Sequence, residues 1–219
     1  MDAFIKKHEY NYIKQCLTDL NNTLRGCVDI NIIDATNAYL QDKILNLFSD
    51  LSWEQKELLD ISTIKEQLQI DNYLANLDEY VYGMPNITAA EVKRLFKKEK
   101  KIRIPNINTQ GTKSVYLGWI DEAIRKLFVV YNMNGKLIGM ACRMPKHSSN
   151  NIHICILCYH TGSSSEVAFV SHICKSANSK KGTYRSIGFD ICLDSTKCNQ
   201  RISAVDKLEE ILKDVNSIK

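Results

Sequence analysis

Four cysteines in the last third of the chain have the spacing of a metal-binding set. Two residues separate Cys155 from Cys158, which lets one tight turn direct both sulfurs at a single ion. Cys192 and Cys198 form a second pair with five residues between them. Four thiolates close a tetrahedron around Zn2+ at about 2.3 Å and leave no open position for a substrate. The spacing therefore predicts one structural zinc ion.

Spacing alone leaves other ligand sets open. Side chains that could replace one of the four sulfurs are His153, His160, His172 and Cys174. A redox pair at Cys155 and Cys158 is disfavoured because no βαβ pattern surrounds them. The pattern predicts a final helix from residue 199 to about 215, so Cys198 is expected at its start. Helix N-terminal N–H groups would favour the thiolate there.

The two halves of the chain carry opposite charge. Residues 1–90 contain 7 Lys and Arg against 14 Asp and Glu, a net charge of −7. Residues 91–219 contain 22 against 11, a net charge of +11. A basic second half indicates an acidic partner, either nucleic acid or an acidic protein surface. The segment from Lys93 to Arg103 holds seven of these cations, and it is either a surface for phosphate or carboxylate or a solvated helix face.

Composition and missing motifs narrow the class of protein. The N-terminus lacks an apolar leader, and no run of about 18 apolar residues occurs, so we expect a cytoplasmic protein without a membrane span. Eight cysteines in a reducing compartment are not expected to form disulfides. The sequence has no phosphate-binding P-loop, no dinucleotide-binding glycine pattern and no HExxH. We therefore expect a binding protein and not an enzyme.

Helical periodicity dominates residues 1–86. Apolar stripes predict helices over 3–25 and 34–50, because spacings of three and four residues place side chains on one face. Ser52 and Thr63 each open a capping box, which predicts two further helix starts. Short connections between such helices favour an antiparallel helical bundle as the first domain.

The pattern changes period in residues 87–219. A capping box at Thr88 opens a helix, and strand-like runs follow at 101–104, 115–119, 127–131 and 136–140. Asn134-Gly135 between the last two runs predicts a tight antiparallel hairpin. The sequence therefore predicts an α+β fold, with a helical bundle followed by an α/β domain whose zinc finger covers about 150–219.

The chain resembles a known family at several points. The segments that carry the resemblance are His8–Ile13, Leu95–Pro105, Gly118-Trp119, the Cys155–Cys158 motif and Asp190–Asn199. Together they are similar to the fusidic acid resistance proteins that bind elongation factor G. The resemblance implies an N-terminal helical bundle and a C-terminal domain with a four-cysteine treble-clef zinc finger. It also implies that Cys155, Cys158, Cys192 and Cys198 are the zinc ligands.

The resemblance also implies a function. Family members are not enzymes; they bind the translocation factor and help it leave the ribosome when fusidic acid has trapped it. This is target protection, with nucleic-acid contact secondary and a monomeric chain expected. Partner-binding side chains are expected at Lys180, Lys181, Tyr184, Arg185, Phe189 and Leu208. The alternative is a zinc-dependent RNA- or ribosome-binding module without a resistance role, which the basic charge also suits.

Overall fold

The chain folds into two compact units, Met1–Tyr82 and Gly83–Lys219. The structure is a computed structural model, and it describes residues 1–100, 102–105, 113–146, 151–174 and 185–218. Helices dominate the first unit, and the second combines helices with an antiparallel sheet. The predicted α+β fold class is confirmed.

The first unit consists of four helices and one short strand pair. The helices are α1 (Lys7–Gly26), α2 (Ile30–Leu45), α3 (Trp53–Leu58) and α4 (Gln67–Asp78). The strands β1 (Ile5–Lys6) and β2 (Val81–Tyr82) pair in parallel, which the helical periodicity did not predict. The predicted stripe of α1 is buried, since Ile13, Leu17 and Leu20 are fully enclosed.

Two predicted capping boxes set helix starts. The Ser52 hydroxyl accepts the Gln55 N–H at 3.2 Å, and the Gln55 side-chain oxygen accepts the Ser52 N–H at 2.9 Å. The Thr88 hydroxyl likewise accepts the Glu91 N–H, and the Glu91 carboxylate accepts the Thr88 N–H at 2.8 Å. Each exchange satisfies two N–H groups that the helix itself leaves unpaired, so the helices begin where the sequence predicts.

The helix start predicted at Thr63 is wrong. Helix α4 begins at Gln67, four residues later than Thr63. The side-chain oxygen of Gln69 accepts the N–H groups of Lys65 and Glu66 at 2.6 and 3.2 Å. Gln69, and not the predicted Thr63 and Glu66 pair, therefore completes the cap, and the helix starts downstream at Gln67.

The second unit is built around a five-stranded sheet. Its strands are β3 (Leu117–Asp121), β4 (Lys126–Met133), β5 (Lys136–Arg143), β8 (Val167–Ile173) and β9 (Ser186–Cys192), in the order β3-β4-β5-β8-β9 and antiparallel throughout. A separate pair is formed by β6 (Ile152–Ile154) and β7 (Thr161–Ser163). The helices are α5 (Ala89–Leu95), α6 (Ser195–Asn199) and α7 (Asp206–Asn216).

The hairpin predicted at Asn134-Gly135 is confirmed. Both residues have positive φ, 50° and 81°, and Met133 pairs with Lys136 directly across the turn. Positive φ at both central positions is what a two-residue hairpin turn requires, and Asn-Gly adopts it at low cost. The turn fixes the register between β4 and β5.

Strand β4 is buried on both faces of the sheet. Leu127 and Val129 belong to the core cluster that contains α6, α7 and the four cysteines. Phe128 and Val130 face a second cluster with α5, where Phe128 stacks on Trp119 at 5.0 Å between ring centroids. The cysteine-bearing segments therefore rest on one face of a sheet whose other face is independently packed.

The strand predicted at 101–104 is wrong for the described residues 102–105, which form no strand. The Arg103 N–H donates to the Asp121 carboxylate at 2.7 Å, and the Arg103 carbonyl accepts the Trp119 indole N–H at 3.1 Å. Side chains thus take the backbone hydrogen bonds that a neighbouring strand would otherwise supply.

Candidate metal centre

Cys155 and Cys158 lie in the turn that joins β6 to β7. The Cys155 N–H donates to the His160 carbonyl at 2.9 Å, and the Tyr159 N–H donates to the Cys155 carbonyl at 2.8 Å. Tyr159 has a φ of 57°, the left-handed conformation in which glycine is usually found. The turn is therefore tight enough to direct both sulfurs to one side.

The second cysteine pair comes from the end of β9 and from α6. Cys192 is the last residue of β9, and Cys198 lies in the last turn of the five-residue helix α6. The expected position of Cys198 at the start of the final helix is wrong, because the Asp194 side chain caps a separate short helix. The Cys198 N–H donates to the Asp194 carbonyl at 3.1 Å, so Cys198 lies inside α6 and not at the helix N-terminus where its thiolate was expected.

The four sulfurs converge on one point. All lie within 4.8 Å of one another, with 3.9 Å between Cys155 and Cys198 and 3.6 Å between Cys158 and Cys192. A tetrahedral Zn2+ site with bonds of about 2.3 Å places its sulfurs about 3.8 Å apart. A disulfide would require about 2.05 Å. The spacing of the sulfurs thus fits a metal ion and excludes a disulfide in this geometry.

Electrostatics within the cluster favour a cation. Side-chain hydrogen bonds from Cys158, Cys192 and Cys198 hold the pKa of Cys155 well below its usual range. The same cluster raises the pKa of Cys198, chiefly through its interaction with Cys155. One thiolate is therefore stabilised by its neighbours, while further ionisation is opposed by like charge. A divalent cation removes this opposition and stabilises all four thiolates.

Backbone and side-chain donors also direct hydrogen toward the sulfurs. The Cys192 N–H donates to the Cys155 sulfur at 3.4 Å, and the Arg201 guanidinium donates to the Cys192 sulfur at 3.6 Å. The buried Tyr116 hydroxyl lies near Cys198, and within the described part of the chain no group meets it with the geometry of a hydrogen bond. Metal-bound thiolates accept hydrogen bonds from surrounding donors. The N–H groups here already donate to sulfur, and the Tyr116 hydroxyl could do so. The residues present fit a structural zinc ion, which would cross-link β6–β7, β9 and α6.

The alternative ligands lie elsewhere. The four cysteines form the one group of three or more potential metal ligands within the described ranges. His153 bonds to the Asp190 carboxylate at 2.9 Å, and His172 bonds to a backbone carbonyl at 2.8 Å. His160 lies 3.8 Å from Glu166, and Cys174 is buried at the end of the β8–β9 hairpin. The four-cysteine set thus remains without a competitor in this part of the chain.

The structure describes only some of the expected partner-binding residues, and these differ in exposure. Lys180, Lys181 and Tyr184 lie outside the described residues. Arg185 is exposed and forms an ion pair with Asp214 at 3.0 Å.

Two others are core residues, since Phe189 is 6% exposed and Leu208 is 0% exposed. Both belong to the cluster beneath the cysteine site. Their side chains pack the domain and do not form part of the described surface, because strand and helix alternation turns them inward. A direct contact role for these two is therefore not supported.

Sequence reasoning missed the residues around the cysteines. Arg201 and Asn199 follow Cys198 closely, but a single chain gives no sign that their side chains reach a sulfur or a distant backbone. Tyr116 is 82 positions from Cys198 along the chain, and only the folded structure brings them together.

The fold and the cysteine set define a treble-clef zinc protein. In this arrangement a CxxC turn supplies two ligands and a strand end with a following helix supplies the other two. Family models match nearly the whole chain: "Elongation factor G-binding protein, N-terminal" over residues 4–85 and "FBP C-terminal treble-clef zinc-finger" over residues 90–217. The chain belongs to this family of elongation factor G-binding proteins, as the sequence resemblance indicated.

A solved structure supports the fold over the full length. The chain is similar to the structure of the fusidic acid resistance protein FusC, with a TM-score of 0.78 and 23% identity, covering 98% of each chain. No curated protein matches the chain in sequence. Among the described residues, no helix is both long and apolar enough to cross a membrane.

Proposed function

We propose that this chain binds elongation factor G and promotes its release from the ribosome, which protects translation from fusidic acid. The observation that carries the proposal is the match of both family models, in order, over residues 4–85 and 90–217. The similarity to the FusC structure over 98% of the chain supports the same fold. In this proposal zinc has a structural role and no reaction is catalysed.

The charge of the second unit supports an acidic partner. Arg94, Lys97, Lys98 and Arg143 surround a cleft of about 460 Å³. None of the four forms a close ion pair with a described carboxylate, and Arg94 interacts with Glu91 only at longer range. Of the described residues that line the cleft, Glu99 is the one acid, and it forms an ion pair with Lys126. Unpaired cations around a partly apolar cleft attract carboxylates and speed association with an acidic surface.

Which residues contact elongation factor G is part of the proposal. Lys180, Lys181 and Tyr184 are retained with the exposed Arg185, which lies where the β8–β9 hairpin closes. Phe189 and Leu208 act in this proposal by holding the sheet and α7 in place beneath the zinc site.

The same unpaired cations favour one second candidate, an RNA- or ribosome-binding module. RNA affinity would fall steeply with salt, because phosphate contacts release counterions. Binding to the isolated factor after nuclease treatment would show that nucleic acid is not required, which argues against this second candidate.

A co-precipitation and release experiment separates these functions. The zinc-loaded chain, treated with nuclease, should retain purified elongation factor G on a resin. It should also speed loss of the factor from fusidic acid-stalled ribosomes in a sedimentation assay. Retention without faster release would limit the function to binding. Ribosomal RNA retained in place of the factor would contradict the proposal and support the RNA-binding module.

A further inference from the structure

Tyr116 places a hydroxyl group in the protein interior where no described residue accepts its hydrogen. The side chain is 1% exposed, and none of the residues that the structure describes forms a hydrogen bond with its oxygen. Tyr116 packs in the same core cluster as Cys198, Cys155 and Cys192, and its hydroxyl lies near their thiols. Buried hydroxyl groups are almost always paired, so this one needs an acceptor.

Asn199 fixes the backbone that carries Tyr116. The Asn199 side-chain oxygen accepts the N–H groups of Val115 and Tyr116 at 2.7 and 3.0 Å, and its amide nitrogen donates to the Tyr116 carbonyl at 2.9 Å. Because Asn199 directly follows Cys198, the clamp ties the tyrosine to the backbone of a zinc ligand. The proximity of the hydroxyl to that sulfur is therefore built into the fold.

Gly118 provides the room that this arrangement needs. A Cβ at position 118 would lie 2.8 Å from the Tyr116 ring and 2.8 Å from the Ser195 Cβ. The Ser195 hydroxyl donates to the Gly118 carbonyl at 2.7 Å, which draws α6 against the same segment. The ring thus occupies space that any other residue at 118 would fill.

A zinc ion with four thiolates carries a net charge of −2, and such sites depend on nearby hydrogen-bond donors. Arg201 already donates to Cys192, and backbone N–H groups serve the sulfurs of Cys155 and Cys158. Cys198 is fully buried in the same core cluster as Tyr116, near the tyrosine hydroxyl. We infer that Tyr116 donates its hydroxyl hydrogen to the Cys198 thiolate when zinc is bound, and so strengthens zinc retention.

Tyr116→Phe tests this role, because it removes only the hydroxyl and keeps the ring. Competition with a chromophoric chelator should show about tenfold weaker zinc binding, within the range for lost outer-shell partners. With Co2+ in place of zinc, the thiolate-to-metal absorption band should move to longer wavelength, because the thiolate loses a hydrogen bond. A purely structural role for the ring would leave that band unmoved.

Two control variants isolate the effect. Tyr73→Phe removes a buried hydroxyl in the first unit that has no hydrogen-bond partner in the described ranges, and Tyr131→Phe removes one that donates to Glu209 at 3.0 Å. Neither should change zinc affinity or the cobalt spectrum. Wild-type affinity and an unmoved band in Tyr116→Phe would overturn the inference.

If Tyr116→Phe does not fold, a second variant tests the same inference. A fluorinated tyrosine at 116 is a stronger donor and should move the cobalt band to shorter wavelength. An unmoved band there would equally overturn the inference.

Discussion

Gly118 and Ser195 touch so closely that no side chain fits between them. A Cβ on Gly118 would lie 2.8 Å from the Ser195 Cβ, and the Ser195 hydroxyl donates to the Gly118 carbonyl at 2.7 Å. This contact joins β3 to α6, the helix that carries Cys198. The zinc site is thereby attached to the edge strand of the main sheet.

Gly118→Ala should destabilise the second unit by about 1–3 kcal/mol, the usual range for overpacking a core. Gly135→Ala is the matched comparison, because its Cβ would meet nothing within 4 Å and only the φ of 81° is strained. That strain alone should cost about 1 kcal/mol. Urea denaturation of both variants gives the comparison. Zinc affinity should fall only in Gly118→Ala. A loss of zinc affinity in Gly135→Ala alone would contradict the close contact between Gly118 and Ser195.

Cys155→Ser should abolish stoichiometric zinc binding and loosen the second unit. Structural zinc contributes apparent free energies of about 10–16 kcal/mol to folding in small zinc-finger peptides. The first unit, with its own core, should stay helical. Metal analysis and hydrogen exchange measure both effects. Cys27→Ser is the control, since Cys27 lies outside the cluster, and equal zinc loss in that variant would refute the ligand set.

Alkaline pH should weaken the fold partly through Cys142. Burial raises the pKa of the Cys142 thiol to about 12, whereas an unfolded cysteine has a pKa of about 8.5. Above that lower value the unfolded chain loses a proton that the folded chain keeps, so stability falls as pH rises. Between pH 8 and 10 this group should account for about 2 kcal/mol.

The matched measurement compares wild type with Cys142→Ala by urea denaturation at both pH values. The alanine variant is less stable at each pH, because the substitution leaves a cavity, but its loss between the two pH values should be smaller by that amount. Equal losses of stability in wild type and Cys142→Ala would show that the Cys142 thiol ionises equally in the folded and unfolded states.

The cation-lined cleft makes a prediction about partner binding. Arg94→Glu combined with Arg143→Glu should weaken binding to elongation factor G at least about tenfold and flatten its salt dependence. Lys14→Glu combined with Lys56→Glu makes the same change in net charge on exposed positions of the first unit. Calorimetry at two salt concentrations compares the pairs. Equal weakening by both pairs would assign the effect to net charge and not to the cleft.

Sequence patterns correctly predicted the elements whose hydrogen bonds join residues close together in the chain. The Ser52 and Thr88 boxes and the Asn134-Gly135 turn satisfy their own backbone groups within a few residues, so the sequence alone places them. The CxxC spacing works the same way, because a single turn sets the geometry of its two sulfurs.

Long-range side chains explain what local rules missed. The predicted strand at 101–104 failed because Asp121 and Trp119 capture the backbone of Arg103. Strand β3 begins at Leu117, two residues later than expected, because Asn199 holds the preceding backbone. None of these partners is adjacent in sequence, so no pattern in one chain reveals them.

Calorimetric titration of purified elongation factor G with the zinc-loaded chain tests the central claim most directly. A complex at micromolar or lower concentration is predicted in low salt, with nuclease present. Cys198→Ser should lose both zinc and this affinity. Absence of binding by the zinc-loaded wild-type chain, or full affinity in a zinc-free Cys198→Ser, would contradict the account.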